Sequence, residues 1–281
     1  MTRTALATAL IAAALAATGC TDSDAMSGLE ALAALQEVNQ SSRGQQATSA
    51  PIEISTDFTI GDAIESAAET IAEFWESQAD CTEVTVAGNT VTIDYGILED
   101  PCVYNGYTYA GINTVAVEST DASSLEVVHT WTGFTNGDVI LDGEGVVTWS
   151  SEDLTRRVVT EHTWTDLSTD ETVDVWGDHL QGQLEENVTI WNSGFTMEGS
   201  REWLSSAGEW TLDMSELELR MVDPAPQAGS LSVINPDGKT LDVVYERLDD
   251  NTIQAILSGL RTGDRVYHIS SYGQYEDVTD G

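Results

Sequence analysis

The chain has 281 residues, enough for one large domain or two small ones, and its 48 acidic residues outnumber 10 basic ones, giving a formal net charge of −38. So few cations argue against nucleic-acid binding, which depends on Lys and Arg neutralising phosphates, and against electrostatic docking on anionic lipids. We expect a solvated acidic shell that tolerates or requires high salt, with divalent cations as possible partners at the acidic surface.

The first 19 residues have the organisation of a secretory signal. A basic start with Arg3 precedes an uncharged, largely apolar run over residues 5–17, and Thr18, Gly19 and Cys20 follow it. A run of this length fits the apolar core of a signal peptide and is too short to span a bilayer. The alternative is an ordinary cleaved signal in which Cys20 has no special role.

The small residues that lead directly into Cys20 resemble the lipobox of bacterial lipoproteins. In that class the cysteine becomes the first residue of the mature chain and carries two ester-linked acyl chains, such as palmitate, and usually a third chain on its amine. Two or more acyl chains anchor a protein stably. The resemblance implies lipidation of Cys20, and Thr21 after it implies the outer membrane, on either the periplasmic or the cell-surface face.

Removal of residues 1–19 would leave one lipidated segment and one folded region. Residues 20–57 are expected to form the lipidated N-terminus and a flexible tether, with room for a short amphipathic helix over about 26–38. Within this segment, the polar run from Ser41 to Pro51 is typical of a flexible spacer. Residues 58–281 are expected to form a single β-rich domain.

The strongest helix signal covers residues 62–78. Ile64, Ala68, Ile71 and Trp75 place an apolar stripe at helical spacing, and Asp62 offers a capping start. This predicts an N-terminal helix that packs against one face of a sheet.

From residue 81 onward the apolar residues alternate with period two, which predicts strands. Turn sequences such as Asn136-Gly137 and Asn235-Pro236-Asp237-Gly238 separate them. The apolar face switches near Ser215-Glu216, which requires a bulge or a move to another sheet. We therefore predict an all-β fold, an antiparallel meander in a bent sheet, a two-layered sandwich or a half-barrel. The predicted strands lie near 84–86, 91–95, 107–118, 125–134, 138–149, 156–166, 172–182, 187–191, 195–204, 209–222, 229–234, 240–247, 252–257 and 265–270.

Apart from Cys20, the chain has two cysteines, Cys81 and Cys102. An even number in an oxidising compartment favours a disulfide, which here would close a loop of about 20 residues. The alternative is a metal-binding or catalytic pair, although no second cysteine pair or nearby histidine accompanies it.

A His-Thr-Trp-Thr sequence occurs twice, beginning at His129 and at His162. With tight turns on both sides of the strand between them, His129 would pair near Glu144 and His162 near Asp142. Two imidazoles and two carboxylates on one face could hold a divalent metal or support a hydrolase, whereas a one-residue slip would place them on opposite faces. The alternative is ordinary strand decoration.

Eight tryptophans allow two further interpretations. Trp131 and Trp164 could be exposed and stack on a carbohydrate or another ligand, or the tryptophans could fill the core. We find no phosphate-binding glycine loop, no His-Glu-x-x-His pair and no Gly-x-Ser-x-Gly elbow. We therefore assign no catalytic residue and expect no cofactor.

A second resemblance covers residues 81 to about 149. Thr90 to Gly96, Cys102, Asn105-Gly106, Gly111 and Asp142-Gly143 are similar to a segment of predicted lipoproteins of Gram-negative bacteria, a family without an assigned activity. The resemblance implies pairing of Cys81 with Cys102. These features together predict a lipid-anchored, non-enzymatic envelope or surface protein that serves as a scaffold or binding protein, with a protein or glycan partner left open. The alternatives are a carbohydrate- or ligand-binding lipoprotein and a metal-dependent hydrolase.

Overall fold

The computed structural model describes residues 24–59, 64–78, 80–104, 107–119, 124–150, 152–184, 194–220 and 222–279. Cys20 and the predicted strand near 187–191 lie outside these residues. The helices and strands are α1 (Gly28–Thr59), α2 (Ile64–Gln78), β1 (Glu83–Ala87), β2 (Thr90–Asp94), β3 (Gly96–Ile97), β4 (Asp100–Tyr104), β5 (Tyr107–Ser119), β6 (Ser124–Thr135), β7 (Val139–Ser150), β8 (Thr155–Asp166), β9 (Thr172–Gln183), β10 (Phe195–Ser205), β11 (Gly208–Leu219), β12 (Ala228–Ile234), β13 (Thr240–Asp249), β14 (Thr252–Ser258), β15 (Arg265–Ser270) and β16 (Tyr275–Asp277).

The strands follow one another in the sheet in nearly the same order as in the chain. From β5 to β16 each strand neighbours the next, and of the strands that the structure describes only the short β3 and β4 lie off this path. The strand pairings that carry a residue register are antiparallel throughout the described residues. The predicted all-β antiparallel meander is confirmed by this order and by these pairings. The prediction was possible because alternating apolar residues and turn residues are local features of the sequence.

The described chain divides into two compact units. Unit 1 comprises the described residues of 1–40, 179–202 and 207–281, and unit 2 comprises those of 41–178 and 203–206. The sequence predicts one β-rich domain over 58–281, and the described residues of this range belong to both units. Each unit has its own buried apolar residues, including Leu241 and Ile253 in unit 1 and Val127 and Leu141 in unit 2.

Helix α1 is longer than the sequence predicts. The expected flexible spacer over Ser41 to Pro51 lies inside this helix. The buried positions there carry small side chains at helical spacing, Ser41, Gly44, Ala47 and Thr48. Small, partly polar residues look like a linker in the sequence, but they also let a helix backbone approach its neighbours closely, and most helical stability in proteins comes from such packing.

Helix α2 packs against β1, β2 and β5 of unit 2, as the apolar stripe predicts. The indole of Trp75 is buried and lies 5.3 Å from the ring of Tyr95 and 5.9 Å from that of Tyr104, centroid to centroid. The predicted disulfide between Cys81 and Cys102 is confirmed, with 5.2 Å between the two Cα atoms. The bridge therefore links the segment after α2 to β4.

The predicted irregularity in β11 is also confirmed. The register with β12 shifts between Ser215 and Glu218, and Glu216 has a φ of 47°. Because one extra residue enters the strand here, Met214 before the bulge and Leu217 after it are both buried.

Among the described residues, no helix is both long enough and apolar enough to cross a membrane.

Candidate functional site

The histidine and tryptophan of each His-Thr-Trp repeat lie on the buried face of the sheet in unit 2, the first pair in β6 and the second pair in β8, with β7 between them. His129, Trp131, His162 and Trp164 are all buried. The imidazole of His129 stacks on the indole of Trp131 with 6.1 Å between ring centroids, and the ring of His162 meets the same indole edge-on at 6.3 Å. Trp131 therefore lies between the two imidazoles.

The predicted carboxylates are on the other face of the sheet. Glu144 pairs with Thr130 rather than with His129, and Asp142 pairs with Thr163 rather than with His162. Both carboxylates are exposed, while both imidazoles are buried. The prediction of a four-residue metal site is therefore wrong. The observed strand register differs by one residue from the predicted one, and a shift of one residue places a side chain on the opposite face of the sheet.

A β-bulge affects the register of β6 with β7, whereas the pairing of β7 with β8 is regular. The pairing of β6 with β7 shifts by one residue between Trp131 and Phe134, where Gly133 has a φ of 54°. On the exposed side, Asp142 accepts a hydrogen bond from the Gly133 backbone N–H at 2.7 Å. Asp142 thus satisfies a donor of the bulge, which is a structural role.

Two glycines of β7, Gly143 and Gly145, occupy the positions opposite the imidazoles that the sequence predicts for the carboxylates. A Cβ on Gly145 would lie 2.7 Å from the Trp131 indole, and a Cβ on Gly143 would lie 2.7 Å from the Cβ of His162. The alternation Asp-Gly-Glu-Gly over 142–145 is the sequence signal for this arrangement, since small residues on one face leave room for large neighbours opposite.

Within unit 2, helix α1 packs against the same buried face. A Cβ on Gly44 would lie 2.3 Å from the Trp164 indole, so the helix backbone itself contacts the ring. Next to this contact, Arg43 donates to the buried carboxylate of Asp166 at the end of β8. The helix is therefore fixed by a close apolar contact and by an ion pair.

Asp166 also organises the turn that follows β8. Its carboxylate accepts hydrogen bonds from the hydroxyl and the backbone N–H of Ser168, at 2.6 and 2.7 Å. The Ser168 hydroxyl, together with that N–H and Arg43, lowers the pKa of Asp166 to about 2. The carboxylate stays ionised over the whole physiological range.

Burial lowers the pKa of His129 to about 3, so its imidazole is neutral at physiological pH. Among the described residues, no group of three or more His, Cys, Asp or Glu side chains could hold a metal ion. Buried imidazoles packed against the Trp131 indole act as core residues. The alternative of ordinary core filling is thus correct for Trp131 and Trp164, and neither is an exposed ligand platform.

The opposite face of unit 2 carries an exposed aromatic residue that is not among the predicted site residues. Trp176 in β9 is 43% exposed. Asp174, two residues before it, accepts a hydrogen bond from the Thr163 hydroxyl at 2.6 Å, and Asp178, two residues after it, pairs with Arg157. Alternation along β9 places Trp176 on the face shared by these polar side chains, and the same alternation is the signal that could have identified it.

Comparison of the chain with protein families, with curated proteins and with solved structures returns no match.

Proposed function

We propose that this protein is a lipid-anchored envelope protein, held in the outer membrane by acyl chains on Cys20, and that it acts through its β-sheet as a non-enzymatic scaffold or binding protein. The observation that carries this proposal is the sequence that leads into Cys20: a basic start, an uncharged apolar run and small residues directly before the cysteine.

The arrangement of the His-Thr-Trp repeats supports the non-enzymatic part of the proposal. A catalytic imidazole must reach its substrate and exchange protons near the working pH. His129 is fully buried, its pKa is far below that range, and the neighbouring carboxylates face the other side of the sheet. These histidines and tryptophans therefore contribute packing rather than chemistry.

Expression of the full chain in a Gram-negative host tests the anchor. We expect the purified protein to partition into detergent, and its N-terminal peptide to begin at Cys20 with the added mass of two or three acyl chains. The Cys20→Ala variant should leave the membrane fraction. An intact, unmodified Met1 terminus in the soluble fraction would contradict the proposal.

A second candidate function is glycan binding on the exposed face of β9. Trp176 supports it, because a half-exposed indole flanked by carboxylates can stack on a sugar ring while the carboxylates accept its hydroxyls. In this carbohydrate-binding hypothesis, Trp176 takes the place of Trp131 and Trp164, which are buried.

Titration with soluble peptidoglycan fragments and lipopolysaccharide core oligosaccharides tests this second candidate. Tryptophan fluorescence should change on binding in the wild-type protein and not in Trp176→Ala. Val159→Ala, an exposed apolar position on the same side of β8, is the matched control and should bind normally. Equal binding by wild type and Trp176→Ala would eliminate the indole platform.

A further inference from the structure

The chain is fixed to unit 1 soon after Cys20. Met26 is fully buried and its backbone N–H donates to the Gly259 carbonyl at 2.8 Å, while the Arg261 N–H donates to the Met26 carbonyl at 2.9 Å. The Arg261 guanidinium also donates to the Ala25 carbonyl at 3.0 Å. The segment from Ala25 thus pairs with the loop after β14 and is part of the folded unit.

The start of helix α1 strengthens this attachment. Ser27 and Glu30 form a reciprocal capping box, in which the Ser27 N–H donates to the Glu30 carboxylate at 2.6 Å and the Glu30 N–H donates to the Ser27 hydroxyl at 3.3 Å. Lys239 forms an ion pair with Glu30, and Arg261 lies 3.7 Å from the same carboxylate. The Lys239 hydrogen bond and the Ser27 contacts lower the pKa of Glu30 to about 2.

These contacts define one end of unit 1. The turn over 235–239 precedes β13 and the loop over 259–264 follows β14, and because β13 and β14 are antiparallel neighbours these two segments lie at the same end of the strands. We name them the anchor face. The turn over 249–251, which joins β13 to β14, lies at the opposite end, about 30 Å away along a strand of ten residues.

The length of the intervening chain limits how far the anchor face can be from a lipid on Cys20. Four residues lie between Cys20 and Ala25, so five residue-to-residue steps join them, and a fully extended chain of that length spans at most about 18 Å. A flexible tether over residues 20–57 would instead have an average reach of roughly 35 Å and a much longer maximum.

We propose that the anchor face lies against the headgroup layer of the membrane that holds the acylated Cys20, so that unit 1 is apposed to the lipid surface and the turn over 249–251 points away from it. This inference rests on the proposed lipid anchor and deepens it, because it assigns the surface that meets the membrane. The carrying observation is the docking of residues 25–30 against the loop over 259–264 and Lys239.

Fluorescence quenching in vesicles tests the geometry. The mature chain carries a fluorophore on an azide-bearing residue at position 237 or 250, both exposed aspartates in turns. The vesicles are phosphatidylcholine with a nitroxide on a fraction of the headgroups. We expect quenching at 237 to exceed quenching at 250 several-fold. An insert of about 20 Gly and Ser residues after Asp22 should remove most of the difference, because its average reach is about 25 Å.

Equal quenching at the two positions without the insert, or stronger quenching at 250, overturns the inference. Mass spectrometry of the N-terminal peptide reports on the lipid anchor separately. If the purified protein carries no acyl chains on Cys20, the proposed function fails. The geometry can then be tested on its own, because a maleimide lipid coupled to the free Cys20 thiol attaches the protein to the same vesicles and allows the same quenching comparison. Circular dichroism of both labelled proteins confirms that they retain the fold.

Discussion

His129 lies fully buried beside Trp131, and this environment favours its neutral imidazole. In the unfolded chain a histidine has a pKa of about 6.5, whereas burial lowers the pKa of His129 to about 3. Below pH 6.5 or so the unfolded chain binds a proton that the folded protein cannot accept. Acidification therefore stabilises the unfolded state through this residue.

We expect His129→Leu to flatten the dependence of stability on pH. In the wild-type protein this residue should cost up to about 1.4 kcal/mol of unfolding free energy for each pH unit below about 6.5, until the pH reaches about 3. Urea unfolding at pH values across that window measures the effect. A variant and a wild type whose stabilities fall in parallel would contradict the assignment of a neutral buried imidazole.

Asp166 and Asp178 form ion pairs that differ in burial. The carboxylate of Asp166 is almost completely buried and has three partners, whereas Asp178 and its partner Arg157 are both about half exposed. We expect Asp166→Ala to lower the free energy of unfolding by about 1–3 kcal/mol, because Ser168 and Arg43 lose a charged acceptor. Asp178→Ala, the matched control, should cost at most about 1 kcal/mol. Chemical denaturation at neutral pH measures the free energy of unfolding of both variants. Similar losses of unfolding free energy would show that burial of Asp166 does not make its ion pair more stabilising than the exposed one.

At the scale of the elements, the contact between α1 and the sheet of unit 2 depends on one missing side chain. Replacing glycine by alanine inside a helix ordinarily adds up to about 1 kcal/mol of stability. At Gly44 the added Cβ would lie 2.3 Å from the Trp164 indole, a distance that forces the helix or the ring to move.

We therefore expect Gly44→Ala to destabilise the protein by about 1–3 kcal/mol, the range found for overpacked cores. Gln36→Ala, on the exposed side of the same helix, is the control and should be neutral or slightly stabilising. Thermal unfolding followed by far-ultraviolet circular dichroism compares the two variants. A Gly44→Ala protein that melts above the wild type would show that α1 does not pack on Trp164.

At the scale of the whole molecule, the charge is dominated by carboxylates. The formal net charge of −38 acts across the surface, and the sheet places like charges opposite each other, as in the pairs Glu144 with Glu161 and Glu118 with Glu126. Directly opposed like charges destabilise a sheet, and salt screens this repulsion.

We expect the melting temperature to rise between low salt and molar NaCl, because screening relieves repulsion in the folded state more than in the expanded chain. Scanning calorimetry across a salt series measures it. Glu161→Gln removes one member of an opposed pair and should raise the melting temperature at low salt more than at high salt. A melting temperature that falls with added NaCl would contradict this account.

Features that depend on neighbours along the chain follow from the amino-acid sequence alone. Alternation with period two located most of the strands, the apolar stripe over 64–78 located α2, and Asn136-Gly137 and Asn235 to Gly238 located turns. These signals are local, because a strand or turn imposes its periodicity on adjacent residues whatever the rest of the chain does.

Which side chains meet depends on how distant parts of the chain pack together. The bulge at Gly133 shifts the pairing of β6 and β7 by one residue, so Glu144 faces solvent while His129 faces the core. The polar run from Ser41 became a helix because its small side chains pack against a sheet far along the chain. Register and docking depend on contacts between distant residues, and a shift of a single residue inverts the face without changing the local pattern.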